Sequence, residues 1–170
     1  CLQRLNSPHI ITSRDAIWVG AEARCIIFAQ AHMNGREFLD SLFGTAEFHL
    51  PQQIACQITH AVAHMHSAHV LHIDLKPSNV FVWPKPQLII QVCDFESAKT
   101  LSATGLAAKQ EVYTTSPYAS PEVLFKSHQV SIASDCWSLA CLIAEVHTGH
   151  VLFCRFGILH QRSIILSWAW

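Results

Sequence analysis

The sequence predicts one α+β domain in which short strands accompany two long helices. At 170 residues, with 51% apolar and 14% charged residues, the chain can bury a core and is too apolar to be intrinsically disordered. Apolar residues at helical spacing over residues 51–68, with Pro51 suited to a first turn, predict an amphipathic helix. A second, more apolar helix is predicted over residues 132–147, ended by Thr148-Gly149.

Four short strands are predicted from apolar runs that are bounded by turn residues. Two of them cover residues 17–19 and 25–28, with a turn over residues 20–24 between them. The other two, over residues 80–83 and 88–93, are joined by a Pro-Lys-Pro turn and should form a hairpin. The last strand is apolar almost throughout, which is typical of a strand that is covered on both faces.

Composition and charge exclude two classes of function. Eleven basic and twelve acidic side chains give a net charge of −1, and no run of like charges could follow a phosphate backbone, so we expect no nucleic-acid binding. The longest apolar runs, such as residues 136–144, are much shorter than the roughly 20 residues that span a bilayer, so no membrane helix is predicted.

Cysteine usage and hydropathy suggest where the protein acts and whether it has a partner. Seven cysteines without a C-x-x-C pair predict free thiols in a reducing compartment, and thus an intracellular protein of the cytoplasm or nucleus. The chain opens on Cys1 without a basic stretch and an apolar run, which suggests a partial sequence lacking a signal peptide. Because a mean hydropathy of +0.26 is high, we expect an intramolecular or intermolecular partner to cover some apolar surface.

Four ordered motifs carry the information about chemistry. Residues 72–79 read H-I-D-L-K-P-S-N and lie between the long helix and the hairpin, and D-F-E follows the hairpin at residues 94–96. The stretch over residues 100–120 lacks periodicity and predicts a long loop, a feature often functional in compact domains. S-P-E then occupies residues 120–122, and D-C-W-S-L-A occupies residues 135–140 within the second helix.

This order of motifs resembles the signature of eukaryotic protein kinases, over most of residues 1–153. The resemblance implies a protein-kinase-like α+β fold, mostly the helical C-terminal lobe with a remnant of the N-terminal lobe sheet. Residues 1–33 would form the end of the N-terminal lobe and the hinge, residues 34–153 the C-terminal lobe, and residues 154–170 a divergent apolar tail. The motifs look most like the group that holds glycogen synthase kinases and cyclin-dependent kinases.

The resemblance also implies roles in phosphoryl transfer from ATP to a protein hydroxyl, a reaction that needs a positioned hydroxyl, bound Mg²⁺ and a neutralising cation. Asp74 would accept or orient the hydroxyl, and Thr115 would steady Asp74. Lys76 would lie beside the transferred phosphate, as in kinases that act on serine and threonine. Asn79 and Asp94 would bind Mg²⁺ through oxygen atoms.

The adenine of ATP would contact Phe81, Cys93 and Met33. Two residues depart from the family pattern around this site. Ile73 replaces an arginine that binds a phosphate on the activation loop, so control by loop phosphorylation is not expected. Glu96 replaces a glycine and could either strengthen Mg²⁺ binding or obstruct the loop.

The sequence contains no G-x-G-x-x-G phosphate loop and resembles a kinase that begins just after the glutamate of the regulatory helix. We therefore expect a serine/threonine kinase domain that is truncated and inactive as an isolated chain. Two alternatives stay open. The chain could be a pseudokinase that binds a nucleotide or a partner, or a fragment with no function of its own.

Plainer interpretations apply to several of these residues. Asp74 and Asp94 would be ordinary carboxylates if each stood alone, but their joint spacing with Lys76 and Asn79 argues against this. The motif at residues 120–122 is expected to be structural.

Three further side chains raise structural questions. Asp135 and Trp137 are interpreted as core supports of the catalytic loop. Glu122 could lack a cationic partner, since only Arg155 and Arg162 lie nearby in the sequence.

Histidines suggest a rival zinc site. His60 and His64 stand four residues apart on the long helix, with His66, His69 and His72 close behind. The first two fall opposite the apolar stripe, however, and no H-E-x-x-H pattern is present, so the kinase interpretation is favoured.

Overall fold

The computed structural model describes residues 5–19, 22–42, 50–102, 107, 114–126, 129–153 and 157–168. The α+β prediction is confirmed, with seven strands and five helices among these residues. The strands are β1 Ser13–Val19, β2 Glu22–Phe28, β3 Met33–Asn34, β4 Val70–Leu71, β5 Val80–Trp83, β6 Ile89–Val92 and β7 Lys99–Thr100. The helices are α1 Gly35–Leu42, α2 Leu50–Ser67, α3 Pro121–Leu124, α4 Ile132–Thr148 and α5 Gly157–Trp168.

The N-terminal strands β1 and β2 pair antiparallel. Both are longer than predicted, so the turn expected over residues 20–24 is wrong for its last three residues, which belong to β2. The first two residues of that turn lie outside the described residues.

Helix α2 forms the centre of the main hydrophobic core, and its predicted position is confirmed. Its buried residues recur three and four apart and therefore lie on one face: Ile54, Ile58, Ala61, Val62 and Met65. The predicted hairpin is also confirmed as β5 and β6, which extend the sheet from β3 in the order β3-β5-β6. This sheet packs on α2 and brings the residues after β6 close to the loop after β4.

The segment before β1 also pairs with the sheet. The N–H of Ile11 donates to the carbonyl of Val92 at 2.9 Å, and the N–H of Val92 donates to the carbonyl of His9 at 2.9 Å. The N-terminal residues are thereby fixed against the strand that leads into the D-F-E motif.

Helix α4 is the second buried helix, and its predicted position and end are confirmed. Ser131 caps its first turn by accepting a hydrogen bond from the N–H of Ala133, and the Ser134 hydroxyl receives the N–H of Ser131 in return. Gly149 ends the helix at φ 71°, a left-handed conformation that glycine adopts without strain.

Several elements were not predicted. Helix α1 follows Asn34, whose side chain accepts hydrogen bonds from the N–H groups of Arg36 and Glu37 at 2.9 and 3.1 Å. Helix α5 lies in the segment predicted as an apolar tail, and it contributes Ile165 to a second core cluster. Strand β7 ends at the first residue of the predicted long loop, and the described residues of that loop include a 3₁₀ turn over Ser116–Tyr118.

Surface features bear on two expectations. No described helix is long and apolar enough to cross a membrane. Large apolar side chains are exposed near α3, α4 and α5, namely Phe125, Ile132, Leu152 and Leu166. The predicted covering partner stays a prediction.

The Ser131 cap should be measurable as stability. We expect Ser131→Ala to lower the free energy of unfolding by about 1 kcal/mol, because the N–H of Ala133 loses its acceptor. Urea denaturation measures this change, with Ser163→Ala as a control at an exposed position inside α5. The control should change stability by less than about 0.5 kcal/mol. Equal effects of the two substitutions would argue against the cap.

Candidate active site

Asp74 lies at the centre of a hydrogen-bonded group in the loop after β4. Its carboxylate receives the Lys76 ammonium at 2.5 Å, and both the hydroxyl and the N–H of Thr115 at 2.7 and 2.9 Å. Burial raises the pKa of Asp74, but the hydrogen bonds from Lys76 and Thr115 and the charge of Lys76 outweigh it and lower that pKa below its ordinary value. The side chain is therefore an anion at neutral pH.

Lys76 and Thr115 also contact each other, since the Lys76 ammonium donates to the Thr115 hydroxyl oxygen at 2.8 Å. The Thr115 hydroxyl thus accepts from Lys76 while it donates to Asp74. The structure brings together the three residues that the sequence singled out as catalytic, although Thr115 is far from Asp74 in the chain.

Asn79 ends the 3₁₀ turn over Pro77–Asn79, and its amide nitrogen donates to the carbonyl and carboxylate of Asp74 at 2.9 and 3.1 Å. Both bonds use the amide nitrogen, which leaves the amide oxygen available as a ligand for a hard cation. Gly35, the first residue of α1, lies against this turn, and any larger residue would clash because a Cβ there would lie 2.6 Å from the Pro77 carbonyl oxygen. Helix α1 therefore packs directly against the turn that carries Asn79.

A cleft of about 540 Å³ opens beside these residues. Its lining includes both predicted metal ligands, Asn79 and Asp94, and two of the predicted adenine contacts, Phe81 and Cys93. Asp94 is exposed and adopts φ 61°, and Glu96 lines the same cleft. The volume is in the range of about 300–1,000 Å³ that is typical of small-molecule sites.

Met33 does not line the cleft, in contrast to the prediction. It pairs with Val82, and residues directly opposite in neighbouring strands share one face of the sheet. Val82 is buried in the main core, and Met33 packs against that core as well. Phe81 is the next residue along β5, so its side chain points to the opposite face and reaches the cleft.

The sequence did not predict the other wall of the cleft. Ile26 and Phe28 of β2 line it together with Ile11. The spacing of two between Ile26 and Phe28 places both on one face of the strand, which is the signal that could have identified them.

The buried carboxylate of Asp135 holds the loop that carries Asp74. It accepts the N–H of His72 and the N–H of Ile73, each at 2.8 Å, and the ring of His66 lies 3.0 Å away. The expected supporting role of Asp135 is confirmed. Trp137, in contrast, stacks on Phe153 with ring centroids 5.6 Å apart and belongs to the second core cluster.

His72 links the loop to the end of β6. One ring nitrogen accepts the N–H of Asp74 at 3.3 Å, so the other carries the proton and donates to the carbonyl of Cys93 at 2.9 Å. Burial lowers the pKa of His72, more than its hydrogen bond to Cys93 raises it. The ring is therefore neutral, and it packs against Phe95 at a centroid distance of 5.0 Å.

A polar triad around the buried carboxylate of Glu145 fixes the turn next to Thr115, and the sequence did not reveal it. The hydroxyl of Tyr118 donates to Glu145 at 2.6 Å, and the Arg36 guanidinium donates to Glu145 and, at 3.3 Å, to the hydroxyl of Tyr118. Burial and the bond to Glu145 raise the pKa of Tyr118. The hydroxyl of Ser138 also donates to the carbonyl of Tyr118 at 2.7 Å, so α4 holds this turn at two points.

Glu122 accepts a hydrogen bond from a neutral group, and Arg155 lies outside the described residues, so the expectation that Glu122 lacks a cationic partner stays a prediction. The Ser134 hydroxyl donates to Glu122 at 2.5 Å. Arg162 instead donates to the carbonyl of Leu124 and lies over the ring of Phe125.

The histidines of α2 make other contacts. A ring nitrogen of His64 accepts the N–H of Asn6 at 3.2 Å, and the ring of His60 lies 6.2 Å from that of His9. Within the described parts of the chain, no three His, Cys, Asp or Glu side chains form a group that could bind a metal ion.

The fold and the site together have the arrangement of a protein kinase catalytic domain: an aspartate loop, a following asparagine, and an aspartate after a hairpin, all beside one cleft. Comparison with known families agrees with this class. A model of the protein kinase domain matches residues 1–166. The chain therefore belongs to the protein kinase domain family.

Individual relatives are kinases as well. The extracellular signal-regulated kinase 1 of Dictyostelium discoideum is 33% identical over 116 residues, which cover 68% of this chain and 22% of that protein. The mitogen-activated protein kinase 5 of Arabidopsis thaliana is 36% identical over 114 residues, or 67% of this chain and 29% of that protein. The serine/threonine kinase NLK of Caenorhabditis briggsae is 31% identical over 111 residues, which cover 65% of this chain and 17% of that protein.

The chain thus spans less than a third of the length of these relatives. Their names fit the expected resemblance to the group that holds glycogen synthase kinases and cyclin-dependent kinases.

Burial of neutral His72 should make the fold sensitive to acid. Below the ordinary histidine pKa of 6.5 the unfolded chain binds a proton at this residue, whereas the folded chain does so only at lower pH. This contribution to the free energy of unfolding is therefore largest above pH 6.5 and declines as the pH falls from 6.5 toward the lowered pKa of the folded state.

Urea denaturation of wild type and His72→Gln at several pH values tests this effect. The variant should be less stable at high pH, and the difference should shrink as the pH falls. Ile54→Val, a core change without a titratable group, should differ from wild type by a constant amount. A constant difference for His72→Gln as well would contradict the prediction.

Proposed function

We propose that this chain provides the catalytic loop and the Mg²⁺ ligands of a serine/threonine protein kinase, which transfers phosphate from ATP to protein hydroxyls. The observation that carries the proposal is the ionised carboxylate of Asp74, held by Thr115 and Lys76 next to the cleft that Asp94 lines. The names of the relatives support the same activity.

Asp74 has the properties that a hydroxyl-orienting group needs. It is an anion, and the hydrogen bonds from Thr115 fix the orientation of its carboxylate before a substrate arrives. The ammonium of Lys76 is close enough to provide positive charge beside a transferred phosphate. Removing the Thr115 hydroxyl would take one hydrogen bond from each of these groups, while the Thr115 N–H and the contact between Lys76 and Asp74 would remain.

Asn79 and Asp94 are the proposed Mg²⁺ ligands. The amide of Asn79 presents its oxygen because Asp74 engages its nitrogen, and Asp94 offers an exposed carboxylate in the same cleft. When bound, the metal would neutralise charge on the phosphate oxygens of ATP. The adenine would lie against Phe81 and Cys93, with Ile11 and Phe28 taking the place expected for Met33.

The isolated chain should use ATP poorly. Its sequence contains no G-x-G-x-x-G that could enclose the phosphates. With open phosphates the charges are screened by water, so we propose millimolar or weaker binding of ATP–Mg²⁺.

A pseudokinase is the second candidate, and one observation favours it. Glu96 lines the cleft close in sequence to Asp94, where it adds negative charge beside the proposed metal ligands. Such a site could retain a nucleotide or a metal without transferring phosphate.

Intracellular location is likewise a proposal. It is supported by the free thiols of four described cysteines, namely Cys56, Cys93, Cys136 and Cys141.

Calorimetric titration of ATP tests the nucleotide site. We expect a Kd of about 1 mM with Mg²⁺, and binding weaker by about tenfold without it or in Asp94→Asn. Asp40→Asn, an exposed position on α1 outside the cleft, serves as the matched control and should bind as wild type. Absence of Mg²⁺-dependent binding would contradict the assigned ligands, whereas micromolar affinity lost in Asp94→Asn would favour the pseudokinase.

Transfer of labelled phosphate from ATP to a serine- and threonine-containing peptide tests the reaction. We expect rates near background for the isolated chain, because nothing in its sequence provides a glycine-rich loop to position the phosphates. Any transfer above background should disappear in Asp74→Asn and persist in Asp40→Asn. Robust transfer by the chain alone would show that this low-activity expectation is wrong.

A further inference from the structure

A separate apolar cluster surrounds Ile73, the residue before Asp74, and joins parts of the chain that are far apart in sequence. Its buried members are Leu71, Ile73, Leu101, Ala107 and Val130, with Val123 of α3 packed against them. All of these side chains are apolar. Ile73 itself is only 4% exposed.

The cluster lies where the loop after β7 begins. Strand β7 pairs with β4, and the N–H of Leu101 donates to the carbonyl of His69 at 2.8 Å. Ala107 forms a bridge with Leu101, and its N–H donates to the carbonyl of Val130 at 3.1 Å. Leu101 and Ala107 are thus fixed at the same place, between the catalytic loop and the start of α4.

The backbone of Ile73 explains why its side chain is informative. Ile73 adopts φ 75°, a left-handed conformation that β-branched residues strongly disfavour and that glycine, asparagine or aspartate adopts more easily. Its N–H is held by Asp135 at 2.8 Å, which fixes the conformation. An isoleucine at such a position therefore does not stabilise the backbone conformation. What it contributes is apolar surface for Leu101, Ala107 and Val130.

We propose that Ile73 is a positioning residue: its apolar packing holds Leu101 and Ala107, the described residues after β7 that join this cluster, at a fixed place beside the loop of Asp74. The placement of these two residues then depends on buried hydrocarbon and not on a charged group. The importance of this placement for catalysis rests on the proposed function, but the placement of Leu101 and Ala107 does not.

Hydrogen–deuterium exchange of the full chain tests the proposal without any catalysis. In Ile73→Ala, the amides of Leu101 and Ala107 should exchange faster by about tenfold or more relative to those of α2. Ile58→Ala removes the same atoms from the main core and is the matched control. Ile58→Ala should accelerate exchange without a larger effect on Leu101 and Ala107 than on α2. The same pattern in both variants, or unprotected amides at Leu101 and Ala107 in wild type, would overturn the proposal.

Two further substitutions separate the side chain from the backbone. Ile73→Leu keeps the apolar packing and should preserve protection of Leu101 and Ala107. Ile73→Asn suits the left-handed conformation better but cannot pack as hydrocarbon, so it should lose that protection. Full protection in Ile73→Asn would show that conformation, and not apolar packing, fixes Leu101 and Ala107.

Salt distinguishes apolar packing from a charged clamp. Raising the salt concentration from about 0.1 M to about 1 M shortens the Debye length from about 10 Å to about 3 Å. Protection of Leu101 and Ala107 should be unchanged or slightly higher at high salt. A marked loss of protection would show that charges fix these two residues, contrary to the proposal.

Because these measurements report order directly, their failure is distinguishable from failure of the proposed function. If Leu101 and Ala107 are protected through Ile73 in a chain that never binds ATP, the role of Ile73 stands and the proposed kinase activity is removed. If the chain binds ATP but Ile73→Ala leaves the protection of Leu101 and Ala107 unchanged, the proposed function stands and the role of Ile73 is removed.

Discussion

The site depends on one buried carboxylate. Asp135 has no solvent exposure, and it accepts the backbone N–H groups of His72 and Ile73 at 2.8 Å each. A buried carboxylate is costly unless hydrogen bonds satisfy it, and two rigid backbone donors at fixed positions do so while setting the path of the chain. The direction of that path determines where Asp74 points. Helix α4 therefore fixes the orientation of Asp74 although it does not carry it.

This constraint also explains how backbone strain is tolerated in the loops around Asp74. Ile73 and Asp94 both adopt left-handed backbone conformations, at φ 75° and 61°. Each such residue costs about 1–3 kcal/mol, with the β-branched isoleucine the less favourable of the two. The bond from Ile73 to Asp135 and its burial oppose that cost at one position. At the other, His72 holds the carbonyl of Cys93, the residue before Asp94.

Much of this arrangement could be predicted from the sequence, because the elements and motifs have local signals. Helix α2 follows from apolar spacing, and the grouping of Asp74 with Lys76 and Thr115 and the supporting contacts of Asp135 follow from motifs at fixed intervals. Helix α1 was not predicted although Asn34 and Glu37 form a local capping pattern, and a glycine at its first position is unfavourable for a helix. The bond between Arg36 and Glu145 has no such signal, because only the tertiary fold brings these residues together. Met33 was misplaced for a related reason, since its face depends on register with Val82.

The same helix that fixes Asp74 also fixes the residue that orients it. Thr115 precedes a turn whose Tyr118 is held by Glu145 and Ser138, and both of these are buried residues of α4, the helix that carries Asp135. Asp74 and Thr115 come from different loops, so their contact would vary if each loop had a separate support. With α4 as the common support, small movements of the helix carry both residues along and preserve the 2.7 Å bond between them. This shared attachment accounts for a carboxylate that is oriented before a substrate arrives.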